Sequence, residues 1–120
     1  MESVCKLSEE GGRRIVCRRC VVADRPLRRM RGLLGRSALP EGEGLLLRPA
    51  PSIHTWFMRF PIDAVFLDRE LVVLKVTRDL RPWRTAHCKQ ARAVLELPAG
   101  AAPRLVLRPG DRLELSGVAA

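Results

Sequence analysis

Ile62-Asp63-Ala64-Val65-Phe66-Leu67, then Asp68-Arg69-Glu70, then Leu71-Val72-Val73-Leu74-Lys75-Val76-Thr77 is the stretch on which the fold turns. Two apolar runs of strand length flank three polar residues, which reads as a β-hairpin. Both alternating sets of side chains in each run are largely apolar, so these strands must be covered on both faces. The segments on either side extend the same pattern. Gly44–Leu47 is a short apolar strand stopped by Pro49-Ala50-Pro51, and Ile53–Met58 and Ile15–Val22 are two more. Beyond the hairpin, Arg81–Arg84 reads as a loop, Ala91–Leu97 as a strand and Pro98–Ala101 as a turn. Leu105–Leu107 and Arg112–Leu115, joined through Pro109-Gly110-Asp111, read as a closing hairpin-like pair. One segment changes period: Asp24 is placed to cap a helix with Pro26 in its first turn. Leu27, Met30, Leu33 and Leu34 then recur at helical spacing up to Gly35. The expectation is a mainly β fold, a small antiparallel sandwich or barrel of jelly-roll kind, with one short amphipathic helix.

A chain of 120 residues is one domain and can bury its own core without disulfide staples. At 47% hydrophobic and 29% charged it is neither a disordered nor a membrane-spanning composition. Residues 1–12 are polar, carry Gly11-Gly12 and lack periodicity. They are expected to form a flexible leader before a single β-rich domain over 13–120. No apolar run reaches the ~18 residues of a membrane helix, and the first residues hold no signal-peptide core, so a soluble, cytoplasmic protein is expected.

The formal charge is +9, and residues 13–36 carry nine arginines against the single acid Asp24. Nearly all the excess therefore sits in one fifth of the chain. Arg25, Arg28, Arg29 and Arg31 fall away from the leucine stripe of the expected helix, as an electrostatic surface suited to an acidic partner or a phosphate backbone. Four cysteines are present, and Cys17 and Cys20 form a C-x-x-C. Strict strand alternation would send those two thiols to opposite faces, which disfavours both a zinc site and a redox dithiol. No metal and no cofactor are expected.

Several segments, in this order, carry a family resemblance: Arg31-Gly32-Leu33-Leu34-Gly35-Arg36, Glu43–Leu47, His54-Thr55-Trp56-Phe57-Met58-Arg59-Phe60-Pro61-Ile62-Asp63, Phe66-Leu67-Asp68, Leu95–Gly100 and Gly110-Asp111. Together they resemble the prokaryotic family catalogued as domain of unknown function number one hundred and ninety-two, from about Ile15 to Leu115. The resemblance implies a small β-rich fold with a short helix and implies no chemistry. Many relatives look exported, with a leader absent here. Relatives also usually carry a glycine in the hairpin, where this chain has Arg69-Glu70.

The candidate site centres on His54–Asp63. In an extended strand His54, Trp56 and Met58 share one face, suited to an apolar or aromatic ligand or a peptide. Arg59, Asp63 and Glu96 form a second group, because a carboxyl in the apolar strand Ala91–Leu97 calls for a guanidinium, from Arg59 or Arg36. The ligand-binding set is therefore Arg36, His54, Trp56, Met58, Arg59, Asp63 and Glu96. No catalytic residue is assigned: neighbouring His87 and Cys88 point apart on a strand, and Ser52 beside His54 has no oxyanion glycines. The expected role is a binding or accessory module for a small ligand or a protein partner, without settled oligomeric state. The alternatives are a hydrolase-like enzyme using His54 and Glu96, and a nonspecific nucleic-acid binder through residues 13–36. That segment contains no aromatic residue for base stacking, which weakens the last.

Replacing two of Arg25, Arg28, Arg29 and Arg31 by Gln should leave stability within about 1 kcal/mol, as surface changes usually do. It should also lower the salt concentration needed for elution from heparin. Unchanged elution removes the electrostatic-partner role.

Overall fold

A computed structural model of the chain describes residues 3–12, 14–23, 38–55 and 58–117. The helix expected over 24–35, with its four exposed arginines, lies outside the described residues, as do Arg36 and Trp56. The described elements are β1 (Ser3–Glu9), β2 (Ile15–Ala23), β3 (Glu43–Leu47), β4 (Ser52–His54), β5 (Ile62–Leu67), β6 (Val73–Leu80), β7 (Thr85–His87), β8 (Ala93–Pro98), the short helix α1 (Ala101–Arg104) and β9 (Leu113–Ser116). Seven strands form one sheet in the order β6-β5-β8-β3-β2-β1-β9, and β4 pairs with β7 in a second, small sheet. All pairings are antiparallel except β2 with β3. That parallel pair needs a crossover, which the chain between Ala23 and Glu43 provides.

Of the two runs expected to be covered on both faces, the first is and the second is not: β6 stands at the edge of the large sheet, and only its Val73 and Leu80 are buried. All six residues of β5 are buried, as are the first five of β8. Register divides them between two cores. Val65, Leu95 and Leu46 stand opposite one another and face a cluster with Leu7, Cys17, Cys20, Leu107 and Leu113, closed by Ala101 and Ala102 of α1. Ala64, Val94 and Leu45 face the other side, toward Ile53 and Ala86 of the small sheet together with Met58 and Leu39. The large sheet curls until Leu71–Val73 meets Asp111–Leu113 in one isolated bridge and a few backbone bonds. Its outer strands pair no further, so the sheet stops short of a closed barrel.

The hairpin turns at Asp68 without a glycine. Its Oδ1 accepts from the N–H of Glu70 (2.8 Å) and of Val72 (3.0 Å), and the left-handed position falls on Leu71 with φ of 65°. An Asp side chain that mimics a backbone turn closes the hairpin without a glycine.

Three further expectations are corrected. The N-terminal segment is not a loose leader: Ser3–Glu9 lies between β2 and β9, and Leu7 is fully buried. Its short apolar content hid it, since one well-placed leucine suffices when both neighbours are already paired. The extended run over 53–58 stops at His54, because Thr55 turns the chain by accepting two backbone bonds, from Met58 and Trp83. Finally, Leu105–Leu107 is not a strand. It follows α1, and β9 pairs with β1 rather than with that segment.

An internal β1 makes Leu7 a core residue. Leu7→Ala should cost about 2–5 kcal/mol in urea unfolding, as for other fully buried leucines, whereas a loose leader would register almost nothing.

Candidate functional site

Register settles which candidate residues share a face. Ala64 of β5 and Leu45 of β3 flank Glu96 of β8, so Glu96 points into the second core, the one that contains Met58. Asp63 pairs with Leu97 and therefore points to the opposite face. The sheet separates the two carboxyl groups, and they do not form one constellation.

Asp63 is completely buried and its carboxylate is fully engaged. Oδ1 accepts from the N–H of Asp79 (2.8 Å), and Oδ2 accepts from the N–H groups of Gly100 (3.0 Å) and Ala102 (2.9 Å). These bonds tie the far end of β6 and the start of α1 to β5. Gly100 is suited to the position because φ there is 93°. Charge-assisted bonds of this kind contribute about 1.5–3 kcal/mol each, and they leave Asp63 with an architectural role beneath the site.

Glu96 is 4% exposed. Burial pushes its carboxyl up from the usual range to about 8. Among the described residues no ion pair or hydrogen bond reaches its side chain, and Arg59 is exposed on its own segment, while Arg36 lies outside the described residues. A carboxyl in an apolar surround stays protonated at neutral pH, and so offers one O–H donor and one carbonyl acceptor.

The remaining candidates are placed around this group unevenly. Met58 is buried in the second core, 7% exposed, and packs there as an apolar residue. His54 is exposed on β4, with its backbone paired to Thr85. Thr55 was not among the expected site residues, yet it organises the segment. It is fully buried, donates from Oγ1 to the carbonyl of Arg81 (2.5 Å) and accepts there from the N–H of Arg84 (2.9 Å). Its N–H and carbonyl also bond Arg84 and Trp83. One threonine thereby fastens the loop over residues 81–84 to the chain carrying His54 and Met58. The available signal was its place between His54 and Trp56, where alternation assigns it to a buried face that only a satisfied hydroxyl can occupy.

With this geometry in view, the sequence profile of the family DUF192, described as an uncharacterised ACR, matches residues 7–115. The chain belongs to DUF192. It is 44% identical over 64 residues to a UPF0127 protein of Pyrococcus abyssi, a match that covers 52% of this chain and 54% of that protein. A UPF0127 protein of Pyrococcus horikoshii is 36% identical over 97 residues, covering 78% and 84% respectively. The match thus spans about half the length of the first relative and most of the second. Two solved structures share the fold at 24% identity. One is a Sinorhizobium meliloti protein described as a candidate transcription regulator, with a TM-score of 0.80 over 96% of this chain and 94% of that one. The other is a Novosphingobium aromaticivorans protein of unknown function, with a TM-score of 0.78 over 92% and 83%. Every candidate residue, from Arg36 to Glu96, lies inside the DUF192 match. No helix among the described residues is long and apolar enough to cross a membrane.

The burial of Glu96 makes stability depend on pH. The unfolded chain loses this proton near pH 4.5, while the folded chain keeps it to about 8. Between those values the folded state binds more protons, so stability falls as pH rises, by up to about 1.4 kcal/mol per unit. Glu96→Gln removes that dependence. The variant should match wild type within about 1 kcal/mol near pH 4.5 and exceed it by several kcal/mol by pH 8, measured by urea unfolding across the window. Parallel curves would show that Glu96 is ionised and paired in the fold.

Proposed function

We propose that this chain is a small-ligand-binding module in which the protonated carboxyl of Glu96 is the recognition group. The supporting observation is a carboxyl held neutral on an otherwise apolar sheet face. Stability alone would favour an apolar residue in that place, and such departures concentrate at functional sites. The ligand chemistry follows from the group: an uncharged amide, carbonyl or hydroxyl to pair with the carboxyl, on an apolar body that packs against Met58. His54 and Arg59, exposed on the segment that carries Met58, would form its solvent-facing rim. Thr55 and Asp63 support the site from beneath. The thiols of Cys17, Cys20 and Cys88 are free, which supports operation in a reducing, cytoplasmic compartment.

The test is a thermal-shift screen of neutral, fragment-sized amides and alcohols at pH 6.5 and pH 9.5. Compounds that raise the unfolding temperature of wild type at the lower pH should lose their effect at the higher one, where Glu96 ionises. Glu96→Gln should keep the effect at both, and Glu96→Leu should abolish it. Hits that are indifferent to residue 96 in all three proteins overturn the assignment.

A further inference from the structure

The spacing of Cys17 and Cys20 would place them on opposite faces of a regular strand, but β2 is not regular. Cys5 stands opposite Cys20 and Leu7 opposite Cys17, so two steps along β1 match three along β2. The extra residue is a β-bulge at Arg18-Arg19, and both arginines are exposed. The bulge turns Cys17 and Cys20 to the same face, where both are buried in the first core. Their thiols are within hydrogen-bonding reach of each other, and this contact together with burial pushes the Cys20 thiol well above its usual range. Gly44 makes room for the pair: a Cβ there would meet the Cys17 sulfur at 3.1 Å. Cys17 also lines a surface groove of about 310 Å³, beside Arg18, Gly42 and Arg104. Cys17 itself is only 1% exposed, and Cys20, fully buried, is absent from that lining.

We propose that Cys17 and Cys20 are a peroxide-reactive dithiol, with Cys17 the attacking thiol at the groove and Cys20 the resolving thiol in the core. The Cys17 sulfur attacks one oxygen of hydrogen peroxide as it gives up its proton, the O–O bond breaks, and Cys17 becomes a sulfenic acid while the departing hydroxide takes that proton and leaves as water. The Cys20 sulfur then attacks that of Cys17. The S–S bond forms, the S–O bond breaks, and the departing hydroxyl takes the Cys20 proton as a second water. Two thiols supply the two electrons that reduce one peroxide. The geometry suits the product: the Cα atoms span the two-residue rise of the partner strand, about 6.6 Å, within the ~4.4–6.8 Å that a disulfide bridges. Charge suits it as well, since a disulfide is neutral in an apolar core.

The experiment treats native, reduced protein with hydrogen peroxide, alkylates the remaining thiols and maps tryptic peptides by mass spectrometry. Cleavage at Arg18 and Arg19 separates the two cysteines, so their disulfide appears as a cross-link between the peptide ending at Arg18 and the one beginning at Cys20. The expected result is that cross-link, the loss of two of the four thiols, and its reversal by dithiothreitol. Cys20→Ala should stop at a sulfenic acid on Cys17, trapped by dimedone. Should that variant fail to fold, the wild-type map decides by itself. A disulfide between Cys5 and Cys20, oxidation confined to Cys88, or no thiol loss overturns the proposal.

Discussion

The carboxylate of Asp63 carries the architecture. It binds three backbone N–H groups, one at the end of β6 and two at the start of α1, from the first turn of β5. A buried charge with fewer donors would be a liability, and one with three becomes an anchor. Because side chains alternate, fixing Asp63 toward α1 fixes Ala64 toward the opposite core and places Glu96, its neighbour across the pairing, there as well. The position of the candidate recognition group is therefore set by the partner-filled carboxylate on the other side of the sheet.

The two carboxyl groups are a controlled comparison within one protein. Both are almost wholly buried in strands of the same sheet, and neither belongs to a described ion pair. Asp63 stands at a strand end, where turns and the start of a helix present unpaired N–H groups. Glu96 stands in mid-sheet, where the backbone donors of the flanking strands are used in the ladder. Location within the strand, rather than burial, separates an anchor from a group held neutral.

DUF192 chains are matched here along most of the domain, and the match includes the elements that fasten the site: Thr55, Asp63, Asp68 and Gly100 all fall within residues 7–115. The small sheet of β4 and β7 depends on this fastening. Its three residue pairs are too few to stand alone, and the Thr55 bonds to the loop over residues 81–84 hold its two strands in place.

Much of the fold was legible in the residues themselves. The doubly apolar β5, the apolar strand that becomes β8, the Asp68 turn, the short strand ending at Leu47 and the β-rich class all follow from period and turn chemistry. The equally apolar run of β6 lies instead at the sheet edge, where local pattern cannot tell an edge from a centre. The burial of Glu96 was legible in the apolar pattern of β8. What tertiary structure alone decided is where long-range pairing overrides local pattern. β1 is polar and carries few apolar residues, yet it becomes an internal strand because β2 and β9 pair with it. Asp63 and Glu96 looked like neighbours in a list of charged residues and proved to be divided by the sheet. Cys17 and Cys20 are joined on one face because two successive arginines could not both reach solvent from a regular strand. A bulge costs one unpaired residue, whereas burying a guanidinium without a partner costs far more, and that inequality is settled only when the neighbouring strands are in place.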